Sequence, residues 1–193
     1  MSREVAKRIF ARELNASNLT FKESDDQYAP AYLLTPTGAK CNRIFVVGTL
    51  TEKNDIGEDS EYWRGRVTDP TGAVIVYAGQ YQPEAAQALS DIEVPSFVAV
   101  IGKPHTYKNQ EGDVLVSIRP ETIIKVDPDT RDRWVADTIE ATAERLIAMR
   151  SGTDPDAQKA QAHYGTDVNE YKALLQNTLK SLKPMEVSVT SLK

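Results

Sequence analysis

The sequence predicts a mainly β chain with flanking α: a five-stranded OB-fold barrel followed by a C-terminal helix. Three observations predict it. Residues 43–126 contain five segments rich in Val, Ile and aromatics, each bounded by turn residues. One short helical segment falls between the third and fourth of them, which is the element order of that barrel. Beyond them, residues 131–150 carry apolar residues at heptad spacing.

Taken in order, REVAKRIFARELN puts Val5, Ala6, Ile9, Phe10 and Leu14 on one face and predicts an amphipathic helix over residues 3–14. Residues 15–40, with polar clusters and two prolines, predict an extended arm lying on the domain, so residues 1–39 form an N-terminal helix and arm. The barrel, residues 40–127, is built from RIFVVGTLTE, YWRGRVTD, AVIVYAGQY, FVAVIGKP and DVLVSIRPETIIKV. Between the third and fourth lies QPEAAQALSD, where Pro83 and Glu84 open a short helix.

In the helix of residues 128–150, Val135, Ile139, Thr142, Leu146 and Met149 are spaced 4, 3, 4, 3. Two heptads are too few for an isolated coiled coil, so the seam, with Trp134 beside it, is expected to pack on the barrel or join a small bundle. SGTDPD, residues 151–156, reads as a linker. Val168, Tyr171, Leu175, Leu179 and Leu182 mark a last helical stripe, closed by Pro184. The tail, residues 151–193, is expected to be mobile or bound to a partner.

With 23 basic and 28 acidic residues the net charge is -5, so phosphate attraction must come from local placement. The barrel itself, Lys40 to Lys125, has nine basic and twelve acidic residues, net -3, which predicts weak nonspecific affinity that fades with salt. The single cysteine, Cys41, excludes an intramolecular disulfide and heads an apolar run, as a buried small hydrophobe does. Charges interrupt the N-terminal apolar residues, so neither a signal peptide nor a membrane span is expected there.

The candidate site starts at Asp69-Pro70-Thr71-Gly72, whose residues suit a type I turn joining the second and third strands. Pairing Thr68 with Ala73 puts Tyr62, Arg64 and Arg66 on one face with Ile75 and Tyr77. Trp63, Gly65, Val67, Val74 and Val76 face the other way and read as core. A slip of one residue would exchange the faces. Guanidinium groups meet phosphate and flat rings stack on bases, so the outward face suits single-stranded nucleic acid. The plainer alternative is that the arginines are solvated and paired with neighbouring acids.

A second cluster, GKPHTYKNQEGD, reads as a polar tip between the fourth and fifth strands and carries Lys103, His105, Tyr107 and Lys108. His105 and His163 are the only histidines, and no Cys/His cluster or Ser, His and Asp grouping stands out. No enzyme activity, metal or cofactor is expected. EKNDIGEDSE, residues 52–61, lacks the calcium-loop pattern and reads as a solvated acidic loop.

RIFVVGTLTE, RVTDPTGAVIVYAGQYQPEA, FVAVIGK and SIRPE, followed by the DTRDRWV helix, resemble the archaeal replication protein A family, specifically euryarchaeal proteins related to its middle subunit. REVAKRIFARELN also fits, and the resemblance covers about residues 3–150. It implies a single-stranded DNA-binding subunit of a heterotrimer in DNA replication and repair, located in the cytoplasm at the nucleoid. It also implies that the 131–150 helix, through Trp134, Val135, Ile139, Thr142, Leu146 and Met149, meets helices of other subunits. The alternative is an assembly or scaffold subunit that scarcely touches DNA. The family stacks DNA on an aromatic after the third strand and on another at the fourth-to-fifth connection. Tyr107 matches the second, and Tyr81 or Tyr77 the first. The tail from about residue 155 departs from the family, being too short for the winged-helix domain of some middle subunits.

Overall fold

The computed structural model describes residues 4–182. Its N-terminal part comprises β1 (Lys7–Arg8), α1 (Ala11–Asn15), β2 (Leu19–Lys22), β3 (Ala31–Leu34) and β4 (Lys40–Cys41). The centre comprises β5 (Ile44–Asp55), β6 (Trp63–Asp69), β7 (Gly72–Ala78), α2 (Pro83–Asp91), β8 (Ser96–Lys108) and β9 (Val114–Lys125). Three helices follow, α3 (Pro128–Ser151), α4 (Pro155–Tyr164) and α5 (Val168–Leu179).

The five central strands pair in the order β5-β6-β7-β9-β8, and β5 also pairs with β8, which closes the barrel. β7 and β9 run parallel, with Val76 opposite Ile118, while the other barrel pairs are antiparallel. With α2 between the third and fourth strands, this is the five-stranded OB-fold barrel. The strands alternate because one face is buried: Val46, Leu50, Val67, Val74, Val76, Val98, Val100 and Ile118 point inward, and Leu89 of α2 joins them. At Gly102 the β8–β9 register shifts, leaving Glu121 as the extra residue. A Cβ there would lie 2.4 Å from the Arg119 carbonyl oxygen, so glycine lets the two backbones meet where the hairpin bends.

The N-terminus departs from the helix predicted over residues 3–14. β6 pairs with β5 only from Thr49 onward, which leaves that edge open at Ile44 and Phe45, and β1 takes it in parallel. Extended backbone is therefore worth more here than helix, and α1 begins only at Ala11, whose N–H donates to Asp69 Oδ2 at 2.6 Å. The arm is also more than extended chain. β2, β3 and β4 form a second, antiparallel sheet.

α3 starts where Asp127 accepts from the Thr130 N–H at 2.7 Å and ends at Gly152 in the left-handed region, φ 66°. Its seam faces the chain itself. Trp134 sits edge-on to Phe10 at 5.4 Å and donates through Nε1 to the Phe45 carbonyl at 3.1 Å. Val135, Thr142, Leu146 and Met149 are buried and Ile139 is half-buried, packed against the barrel core. Thr142 belongs to a buried polar cluster: its hydroxyl accepts from Arg145 Nη2, which also pairs with Glu13 at 3.1 Å. Glu13 Oε1 accepts from Thr35 and Thr37, both at 2.5 Å, and Thr37 Oγ1 accepts from Arg145 Nε at 2.8 Å.

Within the predicted linker, residues 152–154 connect α3 to a further helix that begins at Pro155. Asp154 accepts from the N–H groups of Asp156 and Ala157, Pro155 opens the first turn, and α4 packs Ala157 and Ala160 against Leu34 and Met149. Small residues make that stripe too faint to read from periodicity. The described part of the tail, to residue 182, packs on the chain: the Tyr164 hydroxyl accepts from the N–H groups of Asn18 and Leu19 and donates to the Leu34 carbonyl at 2.6 Å. Leu175 and Thr178 of α5 are buried, and Glu170 pairs with Arg12 at 2.7 Å. Pro184, expected to close this helix, lies outside the described residues. Cys41 is buried, and desolvation pushes its thiol up to about 12, so it is inert. No described helix is long and apolar enough to cross a membrane.

Candidate nucleic-acid interface

The β6–β7 hairpin adopts the predicted register, Thr68 opposite Ala73. Asp69 sets it, because its Oδ1 accepts from the Thr71 N–H and hydroxyl, each at 2.7 Å, and from the Gly72 N–H at 3.1 Å. Val67, Val74 and Val76 are buried as expected, and Tyr62, Arg64, Arg66, Ile75 and Tyr77 share the outer face. Trp63 is half-buried against the core, with the Lys53 ammonium 5.6 Å from its ring centre.

Tyr62 and Tyr77 lie parallel, with ring centres 5.8 Å apart and 10° between planes. Gly79 makes the room: a Cβ there would lie 2.6 Å from Tyr62 Cδ2. Asp55 fixes the approach to this ring, its Oδ1 accepting from the Gly57 and Tyr62 N–H groups at 3.0 Å, and these bonds hold its carboxyl below the ordinary range.

The β7–β9 pairing carries the same face onto the second hairpin. Here the predicted polar tip is corrected: β8 continues as regular strand through Lys108, and the tip is the turn from Asn109 to Asp113. Lys103, His105 and Tyr107 therefore alternate on one face, opposite Arg119, Ser117 and Leu115 of β9. Pro104 and the polar residues around it hid that period. Tyr107 comes close to Tyr77: burial first, and Tyr77 next, push its phenol up, while Arg64 nearby acts in the opposite sense. The His105 and Tyr107 rings stack at 6.4 Å. Tyr62, Tyr77, Tyr107 and His105 thus make a belt of rings across two hairpins, and Tyr62 and Tyr107 are 43% and 39% exposed.

The remaining candidates fall around this belt. Arg64 borders it, across the β6–β7 ladder from Tyr77. Arg66 stands farther along, opposite Glu52 of β5. Tyr81, 84% exposed, is outside the stack, on the turn into α2. Lys108 alternates to the other face from Tyr107 and is not brought to the belt. Among the described residues Arg64, Arg66, Lys103, Lys108 and Arg119 take part in no ion pair. Leu115 and Arg119 share this face and were missed, although the alternation in LVSIR was their signal. No three His, Cys, Asp or Glu side chains among the described residues are grouped to hold a metal.

The barrel and its outer belt define an OB-fold chain with a ring-bearing sheet face. No protein-family profile matches the chain, nor does any curated protein. Among solved structures, a chain of a replication protein A heterotrimer bound to single-stranded DNA matches over 74% of this chain and 98% of its own, with 16% identity and a TM-score of 0.52. The second single-stranded DNA binding protein of Mycobacterium smegmatis matches over 45% of this chain and 87% of its own, with 19% identity and a TM-score of 0.38. A mitochondrial single-stranded DNA binding protein from S. cerevisiae matches over 45% and 94%, with 15% identity and a TM-score of 0.36. The first likeness is one of fold.

Proposed function

We propose that this chain binds single-stranded DNA across the outer face of β6, β7, β9 and β8. Tyr62, Tyr77 and Tyr107 stack on bases, and Arg64 meets the backbone. The observation that carries this reading is the alignment of phenol rings from two hairpins beside an arginine that no described carboxylate neutralises. Every base has a face to stack, so such a belt binds without strong sequence preference. The acidic balance of the chain favours binding led by stacking over binding led by charge.

The narrower reading is a DNA-binding subunit of a replication protein A complex in replication and repair. Its support is the motif resemblance in the barrel strands together with the fold shared with a chain of such a heterotrimer. The scaffold alternative has less support. The residues it would offer to partners, Trp134, Val135, Ile139, Thr142, Leu146 and Met149, already pack within this chain, so assembly through the seam requires those internal contacts to give way.

The test is oligonucleotide titration of the full chain and its variants. Tyr107→Ala is expected to weaken binding by roughly 1 to 3 kcal/mol, the worth of one stacked base. Arg64→Ala is expected to cost less and to flatten the salt dependence. Unchanged affinity in both would sink the assignment.

A further inference from the structure

A cleft of about 500 Å³ opens beside the belt, between the start of α2 and the bend of the β8–β9 hairpin, lined by Tyr81, Pro83, Lys103, His105, Arg119 and Pro120 among others. We propose that this cleft is a phosphate subsite, in which Arg119 holds a backbone phosphate of a nucleotide lying beyond the belt and His105 is the positioning residue that aims the guanidinium. The inference rests on the DNA-binding reading above and extends the strand's path by one position.

Three features support it. Lys103 and Arg119 are directly opposite in the β8–β9 ladder, so two cations outside any described ion pair stand on the same side of the cleft. Arg119 Nη2 lies 2.7 Å from His105 Nε2. Arginine can only donate, so the histidine nitrogen accepts and the ring is unprotonated at that atom. One N–H of the guanidinium is thereby fixed and the rest of the fork remains for phosphate. Finally, the His105 ring continues the stack from Tyr107, and Tyr81 stands exposed at the lip, so a strand leaving the belt meets aromatic surface on its way to Arg119.

The charged and titratable groups around His105 are Lys103 and Tyr107 on β8, Arg119 and Glu121 on β9, and Tyr81 and Glu84 at the start of α2. Glu121 is held by Arg43, at 2.8 Å from Nη2. Burial, and then the Arg119 charge, keep the imidazole below its ordinary range.

The experiment uses the full chain, labelled oligothymidylates of increasing length and fluorescence anisotropy. Arg119→Gln is expected to weaken binding of the longer oligomers roughly tenfold, as loss of a charged hydrogen bond does, with little effect on the shortest that bind. It should also lower the salt slope by about one. Arg119→Lys restores the slope but not the full affinity. His105→Leu weakens binding and lowers the salt slope as Arg119→Gln does, whereas His105→Gln, whose amide oxygen still accepts from Arg119, recovers the salt slope and only part of the affinity, because the ring's share of the stack is gone. Unchanged affinity and salt slope in Arg119→Gln, with Tyr107→Ala still weakened, overturns the subsite alone. If Tyr107→Ala is unchanged too, the DNA-binding reading falls with it.

Discussion

Asp69 does two jobs with one carboxylate. Oδ1 closes the β6–β7 turn and Oδ2 receives the first N–H of α1, so the residue that sets the parity of the candidate face also docks the N-terminus. The turn function was legible because Asp-Pro-Thr-Gly acts over four residues. The docking was not, because Ala11 is 58 residues away in sequence. Gly79 is a similar case. Its hydrogen leaves the space that the Tyr62 ring fills, and a methyl there would strike the ring itself, not the backbone. Gly79→Ala is therefore expected to tilt Tyr62 away from Tyr77 and weaken oligonucleotide binding by up to about 1 to 3 kcal/mol. Its thermal midpoint should stay near wild type, which separates a displaced ring from a damaged barrel.

At the scale of elements, α3 shows what a heptad seam leaves undecided. The spacing of Val135, Ile139, Thr142, Leu146 and Met149 identifies a buried stripe, and that much is local. What covers the stripe depends on the paths of β1, α1, the arm and the last two helices. The polar member is the informative one: Thr142 fits because Arg145, Glu13, Thr35 and Thr37 complete a hydrogen-bonded cluster around it. Glu13 is 1% exposed, and its pairing with Arg145 ties α1 to α3. Removing one partner of a buried pair strands the other charge, so Glu13→Ala is expected to cost about 3 to 5 kcal/mol. Chemical denaturation measures this, and a loss below about 1 kcal/mol would mean that the pair is solvated like a surface one.

Over the whole molecule, the arm and the tail stabilise each other. The second sheet buries Leu34 against Met149, Ala157 and Ala160, and Tyr164 bridges α4 to Asn18, Leu19 and Leu34. Tyr164→Phe leaves two N–H groups and a carbonyl without their partner, at an expected cost of about 1 to 3 kcal/mol. Hydrogen exchange should quicken first at Asn18 and Leu19, with the barrel strands unaffected, because the loss is confined to that junction. Faster exchange spread evenly over the barrel would mean that the arm and tail are not a separate packing unit.

The sequence by itself determined the elements whose cause is short-ranged: the five strands from their period of two, the α2 start from Pro83 and Glu84, and the outward set Tyr62, Arg64, Arg66 and Tyr77 from one turn. Only the tertiary structure decided the rest. It turned residues 4–10 into extended chain by offering an open edge on β5, made the supposed tip of Lys103 to Lys108 a strand by pairing it with β9, and closed the α3 seam with the chain's own helices. It also brought Tyr77 to Tyr107 and, through the β8–β9 ladder, His105 to Arg119. The physical reason is the range of the interactions. Side-chain alternation and turn geometry are set by neighbours in sequence, whereas strand partners and the occupants of a buried seam are chosen by the free energy of the entire packed chain.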